Sequence, residues 1–114
     1  MTLIYKIAPK SLWEDAVAQG AFTGAPVDLA DGYIHFSTAG QTRETAAKHF
    51  AGQSDLVLAV IDADGLGEAL KWEPSRGGDL FPHLYRALRM DEVQSVHPLP
   101  LTSDGAHDFG EILP

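Results

Sequence analysis

Three short stretches of the chain gather side chains that can move protons or hold an anion. They are Tyr5-Lys6, the run Tyr33-Ile34-His35-Phe36-Ser37-Thr38, and Lys71-Trp72-Glu73 followed by Phe81-Pro82-His83-Leu84-Tyr85-Arg86. An imidazole changes charge near neutrality and so can give or take a proton under ordinary conditions, which makes His35 and His83 the first candidates for acid–base chemistry. Alternate residues of a strand share a face, so Tyr33, His35 and Ser37 point one way while Ile34 and Phe36 turn to the core. Thr38 and Gln41 have the spacing of a capping box. The imidazole and the hydroxyl therefore stand just ahead of a helix N-terminus, where free N–H groups suit an anion.

Glu73 lies beside Trp72, and an apolar neighbour raises a carboxyl pKa; it reads either as a base or the holder of a ribose hydroxyl, or as a solvated strand-end carboxylate. His83, between Pro82 and Leu84, either joins the site or fixes a bend through backbone hydrogen bonds. Tyr85 and Trp72 read as core or rim aromatics. Arg43, Arg76, Arg86 and Arg89 make up half of the basic residues. Arginine suits bidentate recognition of phosphate or carboxylate, and pairing with the abundant surface carboxylates is the competing role.

Other chemistries are excluded or disfavoured. Without cysteine, thiolate metal sites, Fe–S clusters, disulfides and a cysteine nucleophile are all ruled out. No His-x-x-x-His or Glu-x-x-His spacing supports a metal, and none is expected; a metal-dependent hydrolase would need His35 and His83 within reach of one ion. The absence of Gly-x-Ser-x-Gly removes a nucleophile elbow, and the absence of glycine-rich phosphate loops removes Rossmann and P-loop readings. His49 is expected to cap a helix end, and His97 and His107 fall outside the clusters.

The elements that must position these residues follow from the pattern. Leu3 to Ala8 reads as a strand ended by Pro9, and Ser11 with Glu14 as the capping box of a short helix stopped by Gly20. Ala21 to Asp31 reads as a loop with one extended piece around Phe22. Asp31-Gly32 turns into a strand over Tyr33 to Ser37, and a second helix runs to about Phe50. The unbroken apolar run Leu56 to Ile61 is a strand covered on both faces and the expected centre of a sheet. Short extended pieces follow around Leu70 to Glu73. Pro82 assigns the next segment to an edge or irregular strand, and Val93 to Leu99 is the last strand. The order is that of an α+β domain over residues 1–101, with two short helices in its N-terminal half and a loosely packed acidic tail over 102–114.

The chain has 114 residues and a formal net charge of -8, enough for one domain and unfavourable for coating a phosphate backbone or an anionic membrane. No apolar run approaches the ~20 residues of a membrane span, so the expected location is the cytoplasm. The apolar segments are short, which points to a monomer or a weak homodimer.

Leu3-Ile-Tyr-Lys-Ile7, Trp13, Gly20, Gly32-Tyr-Ile-His-Phe-Ser-Thr38, Leu56-Val-Leu, Lys71-Trp-Glu73 and Phe81-Pro-His-Leu-Tyr85 together resemble the bacterial domain-of-unknown-function family 952, over about residues 3 to 99. That family in turn looks like a distant branch of the ADP-ribosyltransferase superfamily. The resemblance implies a split β-sheet that binds NAD or a related nucleotide in a cleft and cleaves or transfers at the ribose C1′. It implies catalytic roles for Glu73, His35 and His83. Ligand binding then falls to Tyr5, Lys6, Ser37, Thr38, Tyr85 and Arg86. Lys6 would stand near the ribose-contacting position of the first strand, where the family carries His. His35 and Ser37 would orient the ribose or carboxamide, the helix after Thr38 would face phosphate, and Glu73 would stabilise the cationic centre. A lysine cannot accept the hydrogen bonds of a neutral imidazole, so the alternative is a non-catalytic domain of the same fold that binds a small metabolite or a protein.

Overall fold

The β-branched run at the start forms β1 (Leu3–Pro9), and Pro9, which has no N–H to donate, ends it. In the computed structural model, which describes residues 1–114 apart from the side chain of Arg76, α1 (Lys10–Gln19) follows without a linker. Pro9 holds the cap position, so the helix begins one residue before Ser11, and the expected Ser11–Glu14 box does not form. The Lys10 N–H is satisfied by the Asp55 carbonyl at 2.7 Å. Gly20, at φ 87°, closes the helix as expected, its N–H bonding the Ala16 carbonyl.

The extended piece expected around Phe22 is β2 (Ala21–Phe22), and the rest of the stretch read as a loop holds a helix, α2 (Pro26–Asp31). Proline suits the first turn of a helix, and Asp28 caps its own helix by accepting the Ala25 N–H at 2.8 Å. Gly32, at φ 87°, terminates it. The single strand expected over Tyr33 to Ser37 is instead β3 (Ile34–His35) and β4 (Ser37–Thr38), separated by Phe36. Then come α3 (Ala39–His49), β5 (Leu56–Asp62), β6 (Leu70–Pro74), β7 (Leu80–Leu84), β8 (Leu88–Arg89) and β9 (Val93–Leu99). The start of α3 carries the expected reciprocal contact, Thr38 N–H to Gln41 Oε1 at 3.0 Å.

Among the described residues these strands form an antiparallel sheet in the order β4-β1-β5-β9, a second in the order β3-β7-β6, and the pair β2-β8. The fold is mixed α+β with a split sheet. The chain changes sheets at Phe36, between the two-residue strands β3 and β4. β5 lies inside the four-stranded sheet and is covered on both faces, as its sequence requires. Val57, Ala59 and Ile61 face one core with Trp13, Phe22, Phe36 and Leu84, while Leu56, Leu58 and Val60 face a second with Tyr5, Ala46 and Leu99.

Two further expectations are corrected. Pro82 sits in β7, a regular strand in the middle of its sheet, rather than in an edge or irregular one. Its carbonyl accepts the Phe36 N–H at 3.0 Å where β3 has already ended, so the missing proline donor costs only the return bond of the last rung. The tail is not loosely packed, because Phe109 and Leu113 are buried in the second core and the Arg43 guanidinium lies 5.1 Å over the Phe109 ring. No helix of the described residues is long and apolar enough to cross a membrane.

Candidate functional site

Two imidazoles meet where the two sheets part. Antiparallel pairing of β3 with β7 sets His35 opposite His83, and the rings stand 5.4 Å apart at a near edge-to-face angle of 70°. Tyr33 lies against both, 4.6 Å from His35 and 4.1 Å from His83, and reaches Tyr85 at 5.1 Å. Both histidines line a cavity of about 510 Å³. Its apolar walls include Phe36, Phe50 and Phe81, and its polar lining includes Asp31, Ser37 and Thr45. Ser37 Oγ and Thr45 Oγ1 are hydrogen-bonded at 2.9 Å, joining β4 to α3.

The two rings are held differently. His35 has a carboxylate at each nitrogen, Asp28 Oδ1 at 2.6 Å from Nδ1 and Asp31 Oδ2 at 2.9 Å from Nε2. Its Asp28 contact belongs to a buried knot. Asp28 also accepts from the His35 N–H at 3.0 Å, from the Ala25 N–H, and from Lys6 Nζ at 2.9 Å to Oδ2. Lys6 Nζ completes its shell on the His35 carbonyl at 2.9 Å. The side chains of Lys6 and Asp28 are only 6% and 1% exposed. Burial by itself would raise the Asp28 carboxyl, but the His35 ring, the Lys6 charge and the two backbone donors outweigh it and hold the carboxyl at about 2.

His83 is almost fully buried, 4% exposed, and its Nδ1 meets Glu73 Oε1 at 2.9 Å. The same oxygen accepts the Tyr85 hydroxyl at 2.6 Å. These hydrogen bonds, Tyr85 first, hold Glu73 below the usual carboxylate range, the reverse of the rise expected from Trp72. The alternating strand turns Trp72 to the opposite face of β6, so it does not desolvate its neighbour. Glu73 in return pushes the Tyr85 phenol up to about 12.

Of the residues singled out in the sequence, Tyr5, Lys6, His35, Ser37 and His83 line the cavity. Glu73, Thr38, Tyr85 and Arg86 do not. Glu73 reaches the cavity only through His83. Thr38 spends its N–H on Gln41. Tyr85 and Arg86 line a separate hollow of about 290 Å³. Arg86 is committed to Glu92 in two bonds of 2.8 Å and to the Leu66 carbonyl at 3.0 Å, and Arg89 pairs with Asp91. The side chain of Arg76 lies outside the described residues. His49, expected at the helix end, ends α3 and also lines the cavity. The sequence reading missed Asp28 and Asp31, which it placed in a loop; a proline with an Asp two residues beyond it, Pro26 and Asp28, was the signal of a capped helix. Among the described residues no group of three or more metal-ligating side chains converges.

A split-sheet α+β domain with carboxylate-backed histidines at the parting of its sheets is the class that fold and site define. The chain belongs to the family described as protein of unknown function DUF952, whose model matches residues 7–96. It is similar to the crystal structure of protein CC0527 from Caulobacter crescentus, at 54% identity over 98% of both chains with a TM-score of 0.95. It is also similar to the solution structure of CC0527, at 55% identity over 99% of this chain and 97% of that one with a TM-score of 0.88. Among curated proteins, none matches the chain.

Proposed function

We propose that the cavity binds NAD or a related nucleotide and that the protein cleaves or transfers at the ribose C1′, with His83 as the proton-transferring group. The observation that carries this reading is the register-paired His35 and His83 in the wall of a 510 Å³ cavity that combines aromatic and aliphatic side chains with a few polar ones. His83 takes the proton of the attacking hydroxyl as its oxygen bonds to C1′ and the nitrogen of the departing ring keeps the electron pair of the broken bond. Asp31 is the carboxylate that lines the cavity, so stabilisation of the positive charge at C1′ falls to it rather than to Glu73. His35, anchored by two carboxylates, orients the ligand without exchanging protons. The acidic balance of the chain keeps nucleic-acid backbones away, and on this reading the protein works on a free small molecule in the cytoplasm as a monomer or weak homodimer.

A titration of amide NMR signals with NAD, ADP-ribose, nicotinamide and mononucleotides, with each mixture analysed for cleavage, tests the reading. Perturbations at His35, Ser37 and His83 together with product are expected, and His83→Ala should lower turnover by roughly 10²-fold or more. No perturbation by any nucleotide at millimolar concentration would overturn it. A second reading, a binding module on the same fold, is favoured by the Lys6–Asp28 pair, which occupies the first-strand position where a ribose contact would be made. Perturbations without product would select it.

A further inference from the structure

We infer that Glu73 sets the tautomer of His83, so that the neutral ring carries its proton on Nδ1 and offers the lone pair of Nε2 to the cavity. The ligand must then bring a donor, a hydroxyl or an N–H, to that nitrogen. An ionised carboxylate only accepts hydrogen bonds, and Glu73 Oε1 stands 2.9 Å from His83 Nδ1, so the ring must be the donor there. Tyr85 donates its hydroxyl to the same oxygen at 2.6 Å, which further commits that oxygen to accepting. Glu73 does not line the cavity, His83 does, and Nε2 has no partner among the described residues. His35 cannot play this part, because both of its nitrogens face carboxylates. The site therefore has one free acceptor nitrogen between its two paired rings. Glu73 is on this account a positioning residue that acts through His83 without touching the ligand.

The inference deepens the reading of the same cavity, but it is tested on the ligand-free protein and so fails or survives separately from it. Long-range ¹H–¹⁵N spectra, recorded where the ring is neutral, distinguish a protonated from an unprotonated ring nitrogen. In the unaltered chain His83 should show a protonated Nδ1 and a bare Nε2. Glu73→Ala should reverse the pattern, since the proton then returns to the nitrogen that solvent-exposed imidazoles prefer. Tyr85→Phe should leave it unchanged, because the Glu73 acceptor remains. Glu73 is 39% exposed, so its removal leaves the cores intact, and an unaltered amide spectrum verifies this. A protonated Nε2 in the unaltered chain, or the same tautomer in Glu73→Ala, would overturn the assignment. Should Glu73→Ala fail to fold, the unaltered chain and Tyr85→Phe decide alone. Nucleotides that do not bind leave this result standing, and nucleotides that bind do not rescue it if Nε2 is protonated.

Discussion

The two larger sheets divide the labour of the molecule. In the four-stranded sheet β5 pairs along its length with both β1 and β9, and apolar side chains cover its two faces. In the three-stranded sheet the strands span two to five residues, the middle one contains a proline, and one face carries His35, Glu73, Phe81 and His83. Long apolar ladders contribute stability through buried area, whereas polar side chains in a small sheet must each be satisfied individually. The first sheet can serve as scaffold because it asks little of its neighbours. The second shares an apolar core with the first through Ile34 and Leu84, and its polar face is tied to β1 by the Lys6–Asp28 pair.

Breaking that pair should have the largest effect. Asp28→Ala leaves the Lys6 ammonium buried without its counter-charge and should cost roughly 3–5 kcal/mol in urea denaturation, with loss of the β3 signals before those of β5. Leu58→Ala, in the fully buried centre of the larger sheet, should cost about 3 kcal/mol and weaken the molecule without altering the imidazoles. If the two substitutions changed the two regions alike, the division would be wrong.

Acid provides a milder probe. The Asp28 carboxyl titrates at about 2 in the folded chain against an ordinary 3.8, so its contribution is complete above 3.8 and is lost as pH falls towards 2. The full span is worth about 2 kcal/mol and should be visible as a steeper acid limb than that of Asp28→Ala. The smallest effect belongs to the other carboxylate. Glu73→Ala, which takes away the acceptor of His83 Nδ1, should lower the denaturation midpoint less than either preceding substitution, while the Tyr85 phenol titrates down from about 12 towards 10.0 in an NMR titration.

The same division governs what can be read from the sequence. The six apolar residues from Leu56 to Ile61 announce a doubly covered strand because burial on both faces leaves no polar period. The start of α3 is equally plain, since Thr38 and Gln41 satisfy each other locally. The smaller sheet is held by contacts far apart in the chain, and local pattern cannot carry them. Lys6 and Asp28 are 22 positions apart, and neither residue's neighbours betray the other. Pro82 reads as an edge signal, although a missing donor is harmless in a middle strand whose partner has ended. Trp72 stands beside Glu73 in sequence but on the opposite face of the sheet, and the Tyr85 and His83 hydrogen bonds that lower the Glu73 pKa come from β7 and the residue just past it. Five of the nine residues carried over from the family resemblance do reach the cavity, although alternation misplaced Phe36, which lines it, and Tyr33, which does not.

The knot around Asp28 also bears on when the site comes into being during folding. Its two oxygens collect donors from Ala25 at the head of α2, from Lys6 in the middle of β1, and from the backbone and ring of His35 in β3. The Ala25 contact is local to α2, whereas the Lys6 and His35 contacts form only when β1 and β3 have reached that helix. The histidine ring is therefore aligned at the moment three separate pieces of chain close on one another. A chain that has completed only its larger sheet has a scaffold without an aligned His35, so the geometry of the cavity depends on the docking of α2 and β3 onto β1.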